Sequence, residues 1–187
     1  MNTPLEVTNY NRTRHDKEKF WLFCLFVAGK NSDIQLKKLN QFLSNKPQDF
    51  TPFEWIREVG VDSLRNMLVA SRVGQYNRLT EAIKQSLELD LDTCTVEDLE
   101  NIYGVGGKTA RFFILHTRKD AECAVLDTHI LKWLQDKGFD VPDNTPNDKH
   151  YKRIENLALT LMKQDFPHLT IAEADLFIWA MKSGRLE

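Results

Sequence analysis

Helical periodicity runs along almost the whole of this chain. Apolar residues recur every three to four positions, and no segment alternates between apolar and polar residues over the length of a strand. Residues that break helices are few, because eight glycines and six prolines stand among 187 residues, roughly 7% against a usual share of about 12%. The pattern predicts an all-α fold. The predicted helices cover residues 16–28, 32–42, a segment that opens at 51–52, 62–70, 75–87, 95–102, 108–116, 128–137, 148–163 and 171–182.

The composition excludes several classes of protein. With 42% apolar residues, the chain can bury a sizeable core in one or two domains. Its longest apolar run, residues 20–29, is about half of the roughly 20 residues that a membrane span needs. The polar first 19 residues lack the pattern of a secretory signal, so we expect an intracellular protein. Cys24, Cys94 and Cys123 are too far apart for a disulfide framework and are expected to be reduced, with Cys24 in the core.

Charge is nearly balanced in this chain. There are 25 lysines and arginines against 27 aspartates and glutamates, which leaves a net charge of −2. No global positive field therefore points to a polyanionic partner. A nucleic acid would have to be bound by local features, such as the backbone amides at the start of a helix, which hold phosphates without any lysine.

A glycine-rich turn at residues 104–107 joins two of the predicted helices. Gly104 and Gly106 are expected to adopt the positive φ angles that a tight turn requires. Where side chains are absent, a phosphate can approach the free amides at the start of the next helix. Taken alone, the turn fits an ordinary hairpin of two antiparallel helices equally well.

Two further residues could add chemistry to this turn. Lys108 stands in the first turn of the following helix, where the positive end of the helix dipole favours a neutral, nucleophilic amine. Asp127 follows the apolar Val125 and Leu126 and precedes another helix. Its carboxylate can cap that helix while it faces a cleft. A plain helix cap is the more usual role of an isolated aspartate at such a position.

Together these motifs resemble the helix-hairpin-helix-GPD DNA glycosylases, in which a G-V-G-x-K turn and an apolar helix precede a V-D-x-H segment with a catalytic aspartate. Asp127 lies 19 residues after Lys108, the spacing expected of the 8-oxoguanine branch. The resemblance implies that Lys108 attacks the sugar and that Asp127 stabilises its developing positive charge. It also implies that the amides of Gly104, Gly106 and Lys108 bind a DNA phosphate, with room for a monovalent cation at this hairpin.

The resemblance extends to two segments nearer the N-terminus. Residues 23–31 look like the family segment whose polar residue fills the gap left by an extruded base, which nominates Asn31. Residues 74–78 resemble the loop that wedges into the duplex, with Gln75 and Tyr76 at the inserted tip. The alternatives are a helix cap for Asn31 and a packed aromatic for Tyr76.

Three segments, residues 151–155, 174–179 and 183–185, are similar to the C-terminus of the small archaeal-type 8-oxoguanine DNA glycosylases. The resemblance places the lesion pocket at Asp175, Phe177 and Trp179, with one of the two aromatic rings stacked on the extruded base. Phe177 and Trp179 are two residues apart, so they cannot face the same pocket, and one of them is expected in the core. The archaeal-type enzymes finish with a lysine that helps to read the base, whereas this chain has Leu186-Glu187.

The resemblance also bears on cofactors. Relatives such as endonuclease III usually carry a four-cysteine iron–sulfur cluster near the C-terminus, and no cysteine follows Cys123 here. The five histidines show no metal-ligand spacing, and His129 is expected on a helix face rather than as an acid–base group. We therefore predict no metal and no cofactor, apart from the hairpin cation.

The sequence thus predicts two helical lobes with the active site in a cleft between them: a central bundle at 25–126, and a second lobe made from 1–24 and 127–187. The predicted activity is a bifunctional DNA glycosylase/AP lyase for an oxidised purine, above all 8-oxoguanine. The predicted partner is damaged double-stranded DNA, bound by a monomer in the cytoplasm of a prokaryote or the nucleus of a eukaryote. Two alternatives stay open: a glycosylase for oxidised pyrimidines or another lesion, and a non-catalytic module that uses the hairpin only for phosphates.

Overall fold

Helices make up the regular structure of residues 7–184, which are the residues that the computed structural model describes, apart from the side chain of Asp148. No strand occurs within this range, and the predicted all-α fold is confirmed. Ten helices lie between residues 14 and 182: α1 (Arg14–Val27), α2 (Ser32–Phe42), α3 (Pro52–Val59), α4 (Val61–Ala70), α5 (Tyr76–Ser86), α6 (Val96–Glu100), α7 (Gly107–Thr117), α8 (Thr128–Asp136), α9 (Asp148–Asp165) and α10 (Ile171–Lys182).

Local capping explains where several of these helices begin. The side chains of Thr51, Thr95 and Thr170 each accept a hydrogen bond from the third residue of their helix, and the acidic side chain of that residue bonds back to the cap amide. Each such box satisfies two amides that would otherwise lack a partner. The prediction for residues 95–102 ran two residues too far, because after Glu100 the chain turns towards Gly104.

The chain divides into two compact units, which we call the central unit (residues 12–109) and the terminal unit (the residues up to 11 and those from 110). In the central unit α1 packs against α2, α3 and α5. Its side chains Trp21, Leu22, Leu25 and Phe26 are fully buried. The indole nitrogen of Trp21 donates a hydrogen bond of 2.8 Å to Ser86 Oγ, so the polar end of this large core residue is satisfied.

The core of the terminal unit forms where α8, α9 and α10 pack together. Each helix contributes a stripe of buried apolar residues, among them Ile130 and Leu134 of α8, Ile154 of α9 and Ile178 of α10. Near the N-terminus, Asn9 N donates to the carbonyl of His116 at 3.1 Å, which places this segment beside α7. The predicted boundaries at residues 25 and 126 stay a prediction.

No helix of residues 7–184 has the length and apolar character of a membrane span. Cys24, Cys94 and Cys123 are all buried thiols, and the predicted core position of Cys24 is confirmed. Burial raises the pKa of the Cys24 thiol far above its ordinary value, which keeps it protonated and unreactive.

Candidate active site

The turn before α7 depends on a glycine at one position and on open space at another. Gly104 adopts a φ of +73°, as predicted, and a Cβ atom there would lie 2.5 Å from Cγ of Arg78. The prediction of a positive φ for Gly106 is wrong, because the bend is completed at Gly104 and Gly106 needs no left-handed conformation. A Cβ on Gly106 would meet nothing within 4 Å. What Gly106 provides is an open approach to the start of α7.

Lys108 is the second residue of α7 and is half-buried. Amides of the first turn of a helix have no acceptor four residues back, so this end carries partial positive charge. Among residues 7–184, no carboxylate forms an ion pair with the Lys108 amine. An amine without such a partner keeps its lone pair accessible once it is deprotonated, as covalent catalysis requires.

Asp127 caps α8 with one of its two carboxylate oxygens. Its Oδ1 accepts hydrogen bonds of 2.9 Å from both His129 N and Ile130 N. The cap that the sequence indicated is therefore present. Oδ2 accepts no hydrogen bond from the part of the chain that the structure describes, and the residue is only half-buried. The geometry fixes the carboxylate and leaves one oxygen for another charge.

A buried tyrosine holds the segment that leads into this aspartate. Leu126 N donates to Tyr151 Oη at 2.9 Å, and the Tyr151 hydroxyl donates to the Ala124 carbonyl at 3.1 Å. Burial raises the pKa of Tyr151, so the hydroxyl keeps the proton that it donates. One side chain of α9 thus clamps an irregular stretch through two backbone groups.

A buried ion pair supports the same stretch. Glu155 Oε1 accepts from Ala124 N at 3.1 Å and from Arg111 Nε at 2.6 Å. The Arg111 guanidinium carbon lies 4.2 Å from the centre of the Tyr151 ring. Sequence reasoning gave Tyr151 and Glu155 no role. Their spacing of four residues on one helix face was the signal that they act together.

A second carboxylate lies buried in the same unit as Asp127. Asp175 is 5% exposed, and its Oδ2 is 3.6 Å from Nε2 of His116, whose Nδ1 is 2.8 Å from Thr8 Oγ1. Its other oxygen, Oδ1, has no hydrogen-bond partner among the described residues. Burial raises the pKa of Asp175; the neighbouring charge of Asp127 raises it further, while His116 acts in the opposite direction. Asp175 is therefore a carboxylate beneath the protein surface, in the same unit as Asp127.

The two aromatic residues of α10 lie on its flanks. Phe177 is 42% exposed, with its ring centre 5.3 Å from that of Phe166. Trp179 is half-buried, and its ring lies edge-on to His129 at 5.9 Å. The expectation that one of them belongs to the core is wrong, because α10 buries the side of the helix that bears Ile178 instead. Trp179 is the ring beside the start of α8.

The 72–75 loop holds an unusual backbone before α5. Positive φ angles occur at Arg72 (53°), Gly74 (75°) and Gln75 (52°). For a residue other than glycine such a conformation costs about 1–3 kcal/mol and persists only where the surroundings hold it. Gln75 is exposed and Tyr76, the first residue of α5, is half-buried. Their insertion into a duplex stays a prediction.

Asn31 lies in the loop between α1 and α2. Its Oδ1 accepts a hydrogen bond of 3.1 Å from Ile34 N, which confirms the interpretation of Asn31 as a helix cap. The residue is exposed, and its role in filling the gap left by an extruded base stays a prediction. The neighbouring Lys30 donates from Nζ to the Val73 carbonyl at 2.7 Å. This bond ties the Asn31 loop to the 72–75 loop.

The described residues contain no group of three or more His, Cys, Asp or Glu side chains that could hold a metal ion. At the hairpin, the carbonyl of Gly104 already accepts a hydrogen bond of 3.2 Å from Arg78 Nη1. A monovalent cation would therefore have to use other carbonyls of the turn, and its presence stays a prediction. The meeting of Lys108, in the central unit, with Asp127, in the terminal unit, also stays a prediction.

Known proteins resemble this chain in both sequence and fold. No model of a protein family matches it. It is 35% identical over 173 residues to an 8-oxoguanine DNA glycosylase/AP lyase of Thermoplasma volcanium, and the match covers 87% of this chain and 78% of that protein.

Two crystal structures from Methanocaldococcus jannaschii share its fold. One is an 8-oxoguanine glycosylase/lyase in complex with a 15mer DNA containing 8-oxoguanine, with a TM-score of 0.68, 19% identity, and 95% of this chain and 85% of that chain covered. The other is an 8-oxoguanine DNA glycosylase, with a TM-score of 0.67, 22% identity, and 93% and 81% covered. At these sequence identities the two structures are evidence for the fold alone, and this fold agrees with the predicted all-α fold. With the Thermoplasma relative covered over most of its length, the chain belongs to the 8-oxoguanine DNA glycosylase/AP lyase family.

Proposed function

We propose that this chain is a bifunctional DNA glycosylase and AP lyase that removes 8-oxoguanine from double-stranded DNA. The observation that carries the proposal is a pair of groups in a chain of this family. One is the half-buried amine of Lys108 at the open start of α7, and the other is the fixed carboxylate of Asp127 at the start of α8. An amine nucleophile and a carboxylate are the two groups that this reaction needs.

In the glycosylase step the bond between C1′ of the sugar and the base breaks. Its electron pair leaves with the base, which takes up a proton from solvent. The Asp127 carboxylate stabilises the positive charge that develops on the sugar. The neutral amine of Lys108 then bonds to C1′ and loses a proton. The bond between C1′ and the ring oxygen breaks, this oxygen takes up a proton, and the nitrogen lone pair completes the Schiff base at C1′.

In the lyase step a proton leaves C2′ and the 3′ phosphate departs with the electron pair of its bond to C3′. The strand is thereby cut by β-elimination. The amine and the carboxylate supply the nucleophile and the charge stabilisation, so we propose a reaction that uses no metal or cofactor.

Backbone amides and two loops would hold the DNA. We assign a phosphate to the amides around Gly104, Gly106 and Lys108, which the open space at Gly106 supports. Gln75 and Tyr76 would enter the duplex, and the exposed tip position of Gln75 supports this role. Asn31 would fill the gap that the extruded base leaves. Such contacts position the duplex, but they do not choose the lesion.

The lesion pocket is proposed at α10, with Trp179 as the ring that stacks on the extruded base. Its position beside His129, two residues after Asp127, supports Trp179 over the exposed Phe177. Asp175, buried four residues before Trp179 on the same helix, would act from beneath the pocket. Leu186 and Glu187, which stand where the archaeal-type enzymes have their final lysine, lie outside the described residues. The enzyme would act where the genome lies, in the prokaryotic cytoplasm or the eukaryotic nucleus.

Trapping with sodium borohydride tests the nucleophile. The wild-type protein, mixed with a duplex that contains one 8-oxoguanine, should form a covalent adduct on reduction, because borohydride reduces the Schiff base to a stable amine. Lys108→Gln should form none, whereas Lys119→Gln, a matched change of an exposed lysine, should be trapped like the wild type. Trapping of Lys108→Gln would show that another amine is the nucleophile.

A panel of duplexes with oxidised purines and oxidised pyrimidines tests the substrate. Single-turnover excision should be fastest for 8-oxoguanine. Faster excision of a pyrimidine lesion would show that oxidised pyrimidines are the substrate class instead. Binding of every duplex without any excision would leave a non-catalytic DNA-binding module.

A further inference from the structure

One side chain of the central unit bonds to three separate segments. The Arg78 guanidinium donates from Nε to Gln75 Oε1 at 2.7 Å, from Nη1 to the Gly104 carbonyl at 3.2 Å and from Nη2 to the Leu25 carbonyl at 2.7 Å. These acceptors belong to the 72–75 loop, the hairpin and the end of α1. Two of the three segments are those that the proposed function places on DNA.

The fit around Arg78 is close. Its Cγ and Cδ lie 2.5 and 2.8 Å from the position that a Cβ on Gly104 would occupy, so the aliphatic part of the side chain fills the space that this glycine leaves. Arg78 is half-buried, and burial lowers the pKa of its guanidinium from a value far above neutrality. No carboxylate of residues 7–184 pairs with it. Two backbone carbonyls and one amide oxygen satisfy the charge.

The bond to Gln75 explains how a strained residue is held. Gln75 is in the left-handed region, and its backbone has no side-chain cap at the start of α5. A non-glycine residue stays in this region only where its neighbours restrain it. Arg78, three residues later on α5, restrains the Gln75 side chain, while the Lys30 bond to Val73 restrains the loop backbone.

We propose that Arg78 is a positioning residue that couples the 72–75 loop to the hairpin, so that duplex insertion by Gln75 and phosphate binding at the start of α7 occur in one fixed geometry. The inference rests on the proposed function for the role of both segments. The coupling requires the planar fork of a guanidinium, since a lysine ammonium is a single point charge that cannot reach three separated acceptors in this way.

Hydrogen exchange of the free protein tests the coupling without DNA. In Arg78→Ala and in Arg78→Lys, the hydrogen-bonded amides of Val73 and Leu79 beside the 72–75 loop, and those of Val105 and Thr109 at the hairpin, should exchange about tenfold faster or more. The matched control is Lys84→Ala, which removes a cation from the same helix, and it should leave both segments unchanged. Unchanged exchange in the Arg78 variants, or faster exchange in only one of the segments, would overturn the coupling.

Two DNA substrates distinguish a positioning role of Arg78 from a general loss of activity in its variants. Single-turnover excision of 8-oxoguanine from a duplex should fall about tenfold in both Arg78 variants. Cleavage of a single-stranded oligonucleotide with a preformed abasic site should fall by a smaller factor, because it needs the hairpin but no insertion into a duplex. Full activity of Arg78→Lys on the duplex would show that charge alone matters and would overturn the proposal, as would an equal loss on both substrates.

Should the wild-type protein excise no lesion, the proposed function falls. The exchange measurement then still decides whether Arg78 couples the two segments, since it uses neither DNA nor catalysis.

Discussion

The starts of α7 and α8 are both helix N-termini, yet they carry opposite kinds of chemistry. At α7 the glycine turn leaves open space at Gly106, and the second residue of the helix is the amine Lys108. At α8 the Asp127 carboxylate accepts hydrogen bonds from the amides of His129 and Ile130, and a second carboxylate, Asp175, is buried in the same unit. A helix start left open attracts an anion, whereas a helix start that is capped fixes a negative charge in place.

The two sites also differ in what supports them. The hairpin requires the absence of a side chain at Gly104, because Arg78 packs there. It also requires the guanidinium of Arg78, which donates a hydrogen bond to the Gly104 carbonyl. The start of α8 depends on buried hydrogen bonds from Tyr151 and Glu155 to the segment before Asp127. Substitutions at the two sites should therefore affect stability and activity in different proportions.

The largest effect is expected for a variant that keeps the cap at the start of α8 and removes its negative charge. Asp127→Asn retains a good capping residue, so the fold should persist. Base excision should fall about a hundred- to a thousand-fold, because the positive sugar loses its fixed counter-charge. Single-turnover kinetics measure the loss, and Asp120→Asn at an exposed position serves as the control. Wild-type excision by Asp127→Asn would reduce this carboxylate to a helix cap.

Removal of the buried support should affect stability most at the α8 site. Arg111→Ala leaves Glu155 as an unpaired buried charge beneath the segment that leads into Asp127. We expect a loss of about 3–5 kcal/mol in the free energy of unfolding, measured by urea denaturation. Arg153→Ala, on the exposed face of α9, should change it by less than about 0.5 kcal/mol. Similar values for the two variants would mean that the ion pair does not support this segment.

Substitution of the two hairpin glycines should have different effects, on stability at Gly104 and on DNA binding at Gly106. Gly104→Ala meets both a positive φ and the Arg78 side chain, so it should lower the free energy of unfolding by about 1–3 kcal/mol. Gly106→Ala should leave stability nearly unchanged and weaken DNA binding about tenfold, because its methyl group obstructs the phosphate approach.

A combined variant sharpens the Gly104 result. In an Arg78→Ala background the steric part of the Gly104→Ala cost should disappear, which a double-mutant cycle measures. Additive costs would show that Arg78 and Gly104 act independently.

The smallest expected effect is a dependence of the protein's stability on pH that arises from Asp175. Burial raises the pKa of this carboxyl in the folded protein; the hydrogen bond and charge of His116 oppose the rise, and the charge of Asp127 adds to it. The stability that it contributes is therefore fully present below its unfolded pKa, near 3.8, and is lost as the pH rises through the folded value. Relative to Asp175→Asn, the wild type should become less stable as the pH rises from about 4. Parallel stability curves for the two proteins would show that Asp175 titrates as it does in the unfolded chain.

Much of the local structure followed from residue patterns. Thr51 indicated a helix start because a proline follows it, and Thr95 because acidic residues follow it in the first turn; both cap their helices. Asp127 was expected as a cap because it directly precedes a predicted helix, and it is one. The family was recognised because the glycine turn, Lys108 and Asp127 stand at a fixed distance along the chain.

Errors arose where the outcome depended on packing. The φ of Gly106 depends on how much of the bend Gly104 completes, and composition does not show this. The positions of Phe177 and Trp179 depend on which face of α10 meets α8, and their spacing only says that they point apart. Tyr151 and Glu155 received no role because their partners lie 25 to 44 residues earlier in the chain.

The sequence by itself determined the helices, their caps and the family, because hydrogen bonds within a turn and the spacing of a short motif are local. Only the tertiary structure decided that Arg78 joins Leu25, Gln75 and Gly104, and that buried side chains of α9 hold the segment before Asp127. Each of these contacts requires groups distant in the chain to come within about 3 Å of one another. Side-chain packing sets that distance, and residue order does not.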